Sequence, residues 1–130
     1  MENDIMMAAM QGDHEKIQQL IDQNVPFDEA DENGRTPLMA AVFKNLCACA
    51  EILINAGADV NAKDNEGYSV LYYAAAHGHF TATYLICTSG VKLDKLSADF
   101  INTVGAAREN GFTDIAQMII EVEAKQNAES

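Results

Sequence analysis

Basic residues are scarce in this chain: eight Lys and Arg stand against twenty Asp and Glu, for a net charge of −12 over 130 residues. Nucleic acid and anionic membrane surfaces would repel such a surface, which excludes both as partners. No apolar run approaches the roughly 20 residues that a membrane-spanning helix needs. The opening residues, Met1-Glu2-Asn3-Asp4, are acidic where a secretory leader is basic and then apolar, so no leader is expected. Cysteines number three, an odd count without a disulfide-like framework, which points to a reducing, cytoplasmic setting. Catalytic signatures are missing too: no phosphate-cradling glycine loop, nucleophile elbow or zinc-binding helix motif occurs.

Candidate metal ligands fail on spacing. In His77-Gly78-His79 the glycine is expected to end a helix and send the two rings in different directions, with no third ligand at a recognisable distance. Cys47 and Cys49 are two apart on an expected helix, about 200° around its axis, and cannot share one ion. With Cys87 they read as core residues. Asp59-Val60-Asn61 and Asp64-Asn65-Glu66-Gly67 have neither the ligand order nor the closing glutamate of a calcium loop. No metal, cofactor or catalytic activity is expected.

What the chain does have is a period. Apolar residues make up 48% of it, enough for one compact unit that buries roughly two-thirds of its unfolded surface. Gly34 and Gly67 lie 33 residues apart, and the same offset carries Gly57 to Gly90, Leu38 to Leu71 and Ala41 to Ala74. Extended to both ends, it aligns Asn3, Thr36, Ser69 and Asn102, all residues that can cap a helix start. It aligns Gly12, Asn45, Gly78 and Gly111, the residue types that most readily adopt the left-handed conformation ending a helix. It also aligns Ala8, Ala41, Ala74 and Ala107, as close packing of neighbouring helices requires. Four repeats fill residues 1–130, at about 1–30, 31–63, 64–96 and 97–130, the outer two degenerate.

Asp31-Glu32-Asn33-Gly34-Arg35-Thr36-Pro37-Leu38-Met39-Ala40-Ala41, followed by Ile52-Leu53-Ile54-Asn55-Ala56-Gly57-Ala58-Asp59-Val60-Asn61-Ala62, resembles the ankyrin repeat. The next repeat has Ser69-Val70-Leu71-Tyr72 where the family has Thr-Pro-Leu-His, and keeps Ala75, Gly78 and His79 of the following turn. The motif histidine is absent throughout, replaced by Met6, Met39, Tyr72 and Gly105. The resemblance implies an all-α solenoid of stacked helix-turn-helix units with short β-hairpin fingers, working by non-catalytic protein–protein binding.

In chain order, a helix is expected at about Asp4–Gln11 with Ile5, Met7 and Ala8 on one face, then a polar outer helix from Asp13 to about Gln23 burying Ile17, Leu20 and Ile21. Phe27 should plug the space beneath its finger as Val60 does one repeat later. Thr36 and Pro37 form a strong helix start, and the apolar helix from Leu46 to Asn55 should lie sandwiched between neighbours. The third repeat should bury Leu71, Ala74 and Ala75, then Phe80, Tyr84, Leu85 and Ile86. Ser97-Ala98-Asp99-Phe100 lacks the Asp-x-x-Gly turn, so an irregular last finger is expected. Arg108, in the column of Ala9, Val42 and Ala75, should stop further stacking. The final helix, Thr113 to about Lys125, should turn Ile115, Met118, Ile119 and Val122 inward and Asp114, Gln117, Glu121 and Glu123 outward, with Gln126–Ser130 fraying.

In the family, partners usually bind the concave side made by finger tips and first helices. The matching positions are Glu32, Asn33 and Arg35 on the first finger with Phe43 and Lys44 on its helix, then Asn65, Glu66 and Tyr68 on the second with Tyr72, Ala76 and His77. Weaker equivalents are Asp99, Ile101, Glu109 and Asn110, with Met10 and Gln11 from the first repeat. Aromatic anchors mixed with carboxylates suit an interface with a central anchor and a polar rim. The expected partner is another protein with a basic surface, met by a chain that is monomeric when free. A sharper alternative is an inhibitor or immunity-type protein that covers the basic active-site face of an enzyme or toxin.

Overall fold

The computed structural model describes residues 4–128; the expected cap Asn3 and the last tail residues, Glu129 and Ser130, lie outside them. Among the described residues eight helices follow in pairs: α1 (Asp4–Gln11) and α2 (His14–Asp22), α3 (Pro37–Phe43) and α4 (Cys47–Ala56), α5 (Val70–Ala75) and α6 (Phe80–Cys87), α7 (Ala98–Glu109) and α8 (Thr113–Ala128). The first helices of each pair pack in a row, α1 on α3 on α5 on α7, and the second helices form a parallel row behind them. One continuous core runs between the rows, from Ile5 and Ile17 through Leu38, Leu53, Leu71 and Ile86 to Ile115 and Ile119.

Local chemistry explains the stride. Thr36 and Ser69 each accept the N–H three residues on, from Met39 and Tyr72, as helix caps. Gly12, Asn45, Gly78 and Gly111 all take positive φ between the helices of a pair. At Gly78, with φ +78°, an added Cβ would lie 2.5 Å from the Phe112 ring, so a larger residue would be strained and would have to displace that ring. In the fingers, Asp31 and Asp64 build equal turns. Asp31 Oδ1 accepts the Asn33 and Arg35 N–H groups, and Asp64 Oδ1 accepts those of Glu66 and Tyr68.

Regularly placed hydrogen bonds stitch one repeat to the next. The carbonyls of Met10, Phe43 and Ala76, orphaned at helix ends and spaced by the period, accept from Lys44 Nζ, His79 Nε2 and Asn110 Nδ2 at 2.9, 2.8 and 3.0 Å. At finger level, Asn65 Nδ2 donates to the Glu32 carbonyl at 2.9 Å, and the Asn65 N–H to that of Asn33 at 3.0 Å.

Several expectations need correction. The fingers are tight turns, and among the described residues β pairing is confined to one antiparallel bridge, Lys63 with Ser69. That bridge uses the Val70 N–H, bound to the Ala62 carbonyl; one repeat earlier the position is Pro37, which has no N–H to give. The fourth inner helix starts at Ala98, capped by Ser97 Oγ on the Phe100 N–H, so Asn102 lies within it instead of capping it. Phe100 holds the place of Gly34 and Gly67, and without a left-handed residue there the helix extends into the finger.

The core also differs in detail. Met6 and Ala9 are buried, whereas Met7 is 41% exposed. Ala82 and Thr83 pack inward in place of Phe80 and Tyr84, which are 47% and 55% exposed. Small residues let α4 and α6 approach, and Tyr84 shares its column with the exposed Glu51. Cys47 is only half-buried. Glu123 is buried rather than outward, its Oε2 accepting the Lys95 N–H at 2.7 Å. Gln126, expected to fray, accepts the Leu93 N–H and donates to the Val91 carbonyl, holding the irregular segment before α7.

Candidate protein-binding groove

The inner face of the first helices and the two finger turns enclose an open groove of about 610 Å³. Met6 and Met10 reach it from α1, Ala40, Phe43 and Lys44 from α3 and its end, and Tyr72, Tyr73 and His77 from α5 and its end. The turns add Asp31, Asn33, Arg35, Asp64, Asn65, Glu66 and Tyr68.

Its aromatic groups are ordered against one another. Tyr68 and Tyr72 stack with centroids 4.5 Å apart, and Phe43 stacks on His77 at 4.6 Å. Tyr73 meets Phe43 edge-on at 6.2 Å. His77 and His79 were expected to diverge; their rings lie nearly parallel, 6.2 Å apart. Hydrogen bonds explain this, because His77 Nδ1 reaches back to the Tyr73 carbonyl while His79 Nε2 reaches across to that of Phe43.

One polar cluster fixes the groove wall. Tyr73 donates its hydroxyl to Asp64 Oδ2. Burial pushes the Tyr73 phenol up, the bond to Asp64 and its charge push it further, and Arg35 offsets part of this, leaving it at about 12. Burial raises Asp64, but hydrogen bonds from Tyr73, Tyr68 and Glu66 together with the Arg35 charge outweigh it and hold the carboxyl below its ordinary value of 3.8. Among the described residues no three His, Cys, Asp or Glu side chains are grouped to hold a metal ion. The thiols are blunted: burial lifts Cys87 to about 11, and burial lifts Cys49 and Cys47 too, aided by Asp13 and Glu51.

The family model for ankyrin repeats, in three copies, matches residues 5–99. The chain belongs to the ankyrin-repeat family. Inversin of Homo sapiens is 40% identical to it over 82 residues, 62% of this chain and 8% of that protein. NF-kappa-B inhibitor delta of Mus musculus is 36% identical over 74 residues, 57% of this chain and 23% of that one. A putative ankyrin repeat protein, YahD of Escherichia coli (strain K12), is 36% identical over 62 residues, 48% and 31% of the two chains. The chain spans only 8% of the length of Inversin, so what they share is the repeats. Ankyrin repeats mediate protein–protein interaction and are typically non-catalytic.

Within this ankyrin array, Asn33, Arg35, Phe43, Lys44, Asn65, Glu66, Tyr68, Tyr72 and His77 come together on the groove as the sequence suggested. Glu32 and Asp99 do not line it. The Glu32 carbonyl is taken by Asn65, and Asp99, extrapolated from Glu66, sits in the first turn of α7 instead of at a finger tip. Met6, Asp31, Ala40, Asp64 and Tyr73 were missed. Tyr73 had a signal, because its column otherwise holds Met7, Ala40 and Ala106.

Proposed function

We propose that this ankyrin array, taken as one unit over 1–130, is a non-catalytic module that captures a partner protein in the concave groove. The observation that carries it is the exposure there of ordered aromatic anchors: Phe43 is 44% and Tyr68 38% exposed. Exposed large apolar groups on a concave face, rimmed by Asn33, Arg35, Lys44, Asn65 and Glu66, have the make-up of an interface hot spot. Tyr72 and His77 complete the anchor surface, with Glu32 and Asp99 beyond its rim. The net charge of −12 favours a partner with a basic surface and opposes self-association. Free thiols at Cys47, Cys49 and Cys87 fit a reducing, cytoplasmic setting.

Simultaneous replacement of Phe43, Tyr68 and Glu66 by alanine is the test. Capture of a partner from native lysate, read by mass spectrometry, should drop while circular dichroism stays helical. Undiminished capture moves the site off this face.

A second reading, an inhibitor that covers the basic face of an enzyme or toxin, is favoured by the same charge and by the likeness to NF-kappa-B inhibitor delta. Stoichiometric loss of a co-purifying enzyme's activity, relieved in high salt, distinguishes it from a scaffold.

A further inference from the structure

Most charged groups on the groove are already answered from within the chain. Arg35 lies against Asp64 and Tyr73, and Lys44 Nζ donates to the Met10 carbonyl. Asp31 and Asp64 accept the N–H groups of their own turns. Two carboxylates remain: among the described residues neither Glu66 nor Glu109 has a side-chain partner. They lie in different hollows. Glu66 is on the main groove, while Glu109 is on a second hollow of about 510 Å³ that includes Ile101 and Gly105 of α7. Tyr68 and Tyr72 line both hollows, so the stacked rings form a partition with an unanswered carboxylate on either side.

The second hollow exists because of Gly105. Its column holds Met6, Met39 and Tyr72 in the other repeats, and a Cβ built on Gly105 would meet nothing within 4 Å. The side chain missing there leaves room beside the tyrosines for a group supplied from outside.

We propose that the groove takes an extended segment of the partner with two side chains at fixed spacing. A large apolar side chain seats against Phe43, Met10 and His77. An arginine follows over the tyrosine partition, its guanidinium against the rings and its N–H groups shared between Glu66 and Glu109. This rests on the groove reading above and adds the chemistry of the ligand. Arginine fits better than lysine because a planar guanidinium both stacks on an aromatic face and forks toward carboxylates. Neighbouring helices pack about 8–10 Å apart and an extended chain advances about 3.3 Å per residue, so the two side chains should be about three residues apart.

The probe is a displayed library of short random peptides, selected on the full chain and counter-selected on a Glu66→Gln, Glu109→Gln variant. The expected enrichment is an arginine about three residues from a large apolar residue. In fluorescence anisotropy at low salt, changing that arginine to glutamine should weaken binding about tenfold. The double variant should bind the arginine and glutamine peptides alike, with its circular dichroism unaltered. Gly105→Leu, which fills the hollow, should reproduce that result without touching a charge. Selection of acidic or arginine-free peptides, or of none, overturns the inference, as does a chain that occupies the groove with a second copy of itself in sedimentation. If the glutamine peptide binds as tightly to the wild-type chain and is lost on Phe43→Ala, the inference falls and the groove reading stands. If Phe43→Ala with Tyr68→Ala leaves peptide binding intact, the groove reading falls as well.

Discussion

The Asp64 carboxylate accepts two backbone N–H groups on one oxygen and the Tyr73 hydroxyl on the other, so one side chain holds both the shape of a finger and the wall of the groove. Its charged form is favoured, which means the contribution to stability is present above the ordinary value of 3.8 and fades as the pH falls below it. Tyr73 works at the other end of the scale. Its neutral form is favoured, so its contribution is complete below 10.0 and is lost as the pH rises through about 12. A titration of tyrosinate absorbance should contain a component near 12 that Tyr73→Phe removes and Asp64→Asn moves down. The same component surviving in Tyr73→Phe would place the late phenol elsewhere. Neither partner is conspicuous in the sequence, since Asp64 reads as a turn former and its link to Tyr73 spans nine residues.

Among the helices, α7 departs most from the common plan, and its early start has a consequence within it. The period places Pro37 and Val70 at the first helical position of their repeats, where Thr103 stands in α7. Because α7 begins at Ala98, Thr103 is carried into the helix interior and fully buried. Among the described residues its hydroxyl is the buried side-chain polar atom left without a hydrogen-bond partner. Thr83, also fully buried, donates to the His79 carbonyl at 2.8 Å. The isosteric change Thr103→Val should therefore raise stability by about 1 kcal/mol, whereas Thr83→Val should lower it by a similar amount. Chemical denaturation of the two variants checks the contrast; a loss of stability in Thr103→Val would mean that the hydroxyl is satisfied in solution. The sequence disclosed the first-helix starts of the second and third repeats, α3 and α5, because capping by Thr36 and Ser69 is local chemistry. It hid the fourth because the decisive feature is an absence, a finger with no glycine to keep it from winding into helix.

At the scale of the whole array, the period was the most legible property because every repeat needs the same small residue where helices cross. The burial of Glu123 and the use of Gln126 were illegible for the opposite reason: each answers a backbone group 28 to 35 residues away, from columns that hold Gly57 and Gly90, or Val60 and Leu93, in the two preceding repeats. Long-range satisfaction of this kind leaves no periodic trace. The alanine column, by contrast, predicts how the molecule fails. Ala74 is fully buried on α5, which packs against α3 on one side and α7 on the other. An arginine there would have to overpack a helix contact and bury a charge, together several kcal/mol against a total stability of about 5–15 kcal/mol for a domain. Nearest-neighbour coupling then spreads the damage, because separating α5 from either side leaves each half without part of its core. Ala74→Arg should thus abolish most of the helical circular dichroism at ordinary temperature, while Leu96→Arg, at a position 81% exposed, should leave it unchanged. A folded Ala74→Arg chain would show that the helices do not meet there as closely as the shared stride requires.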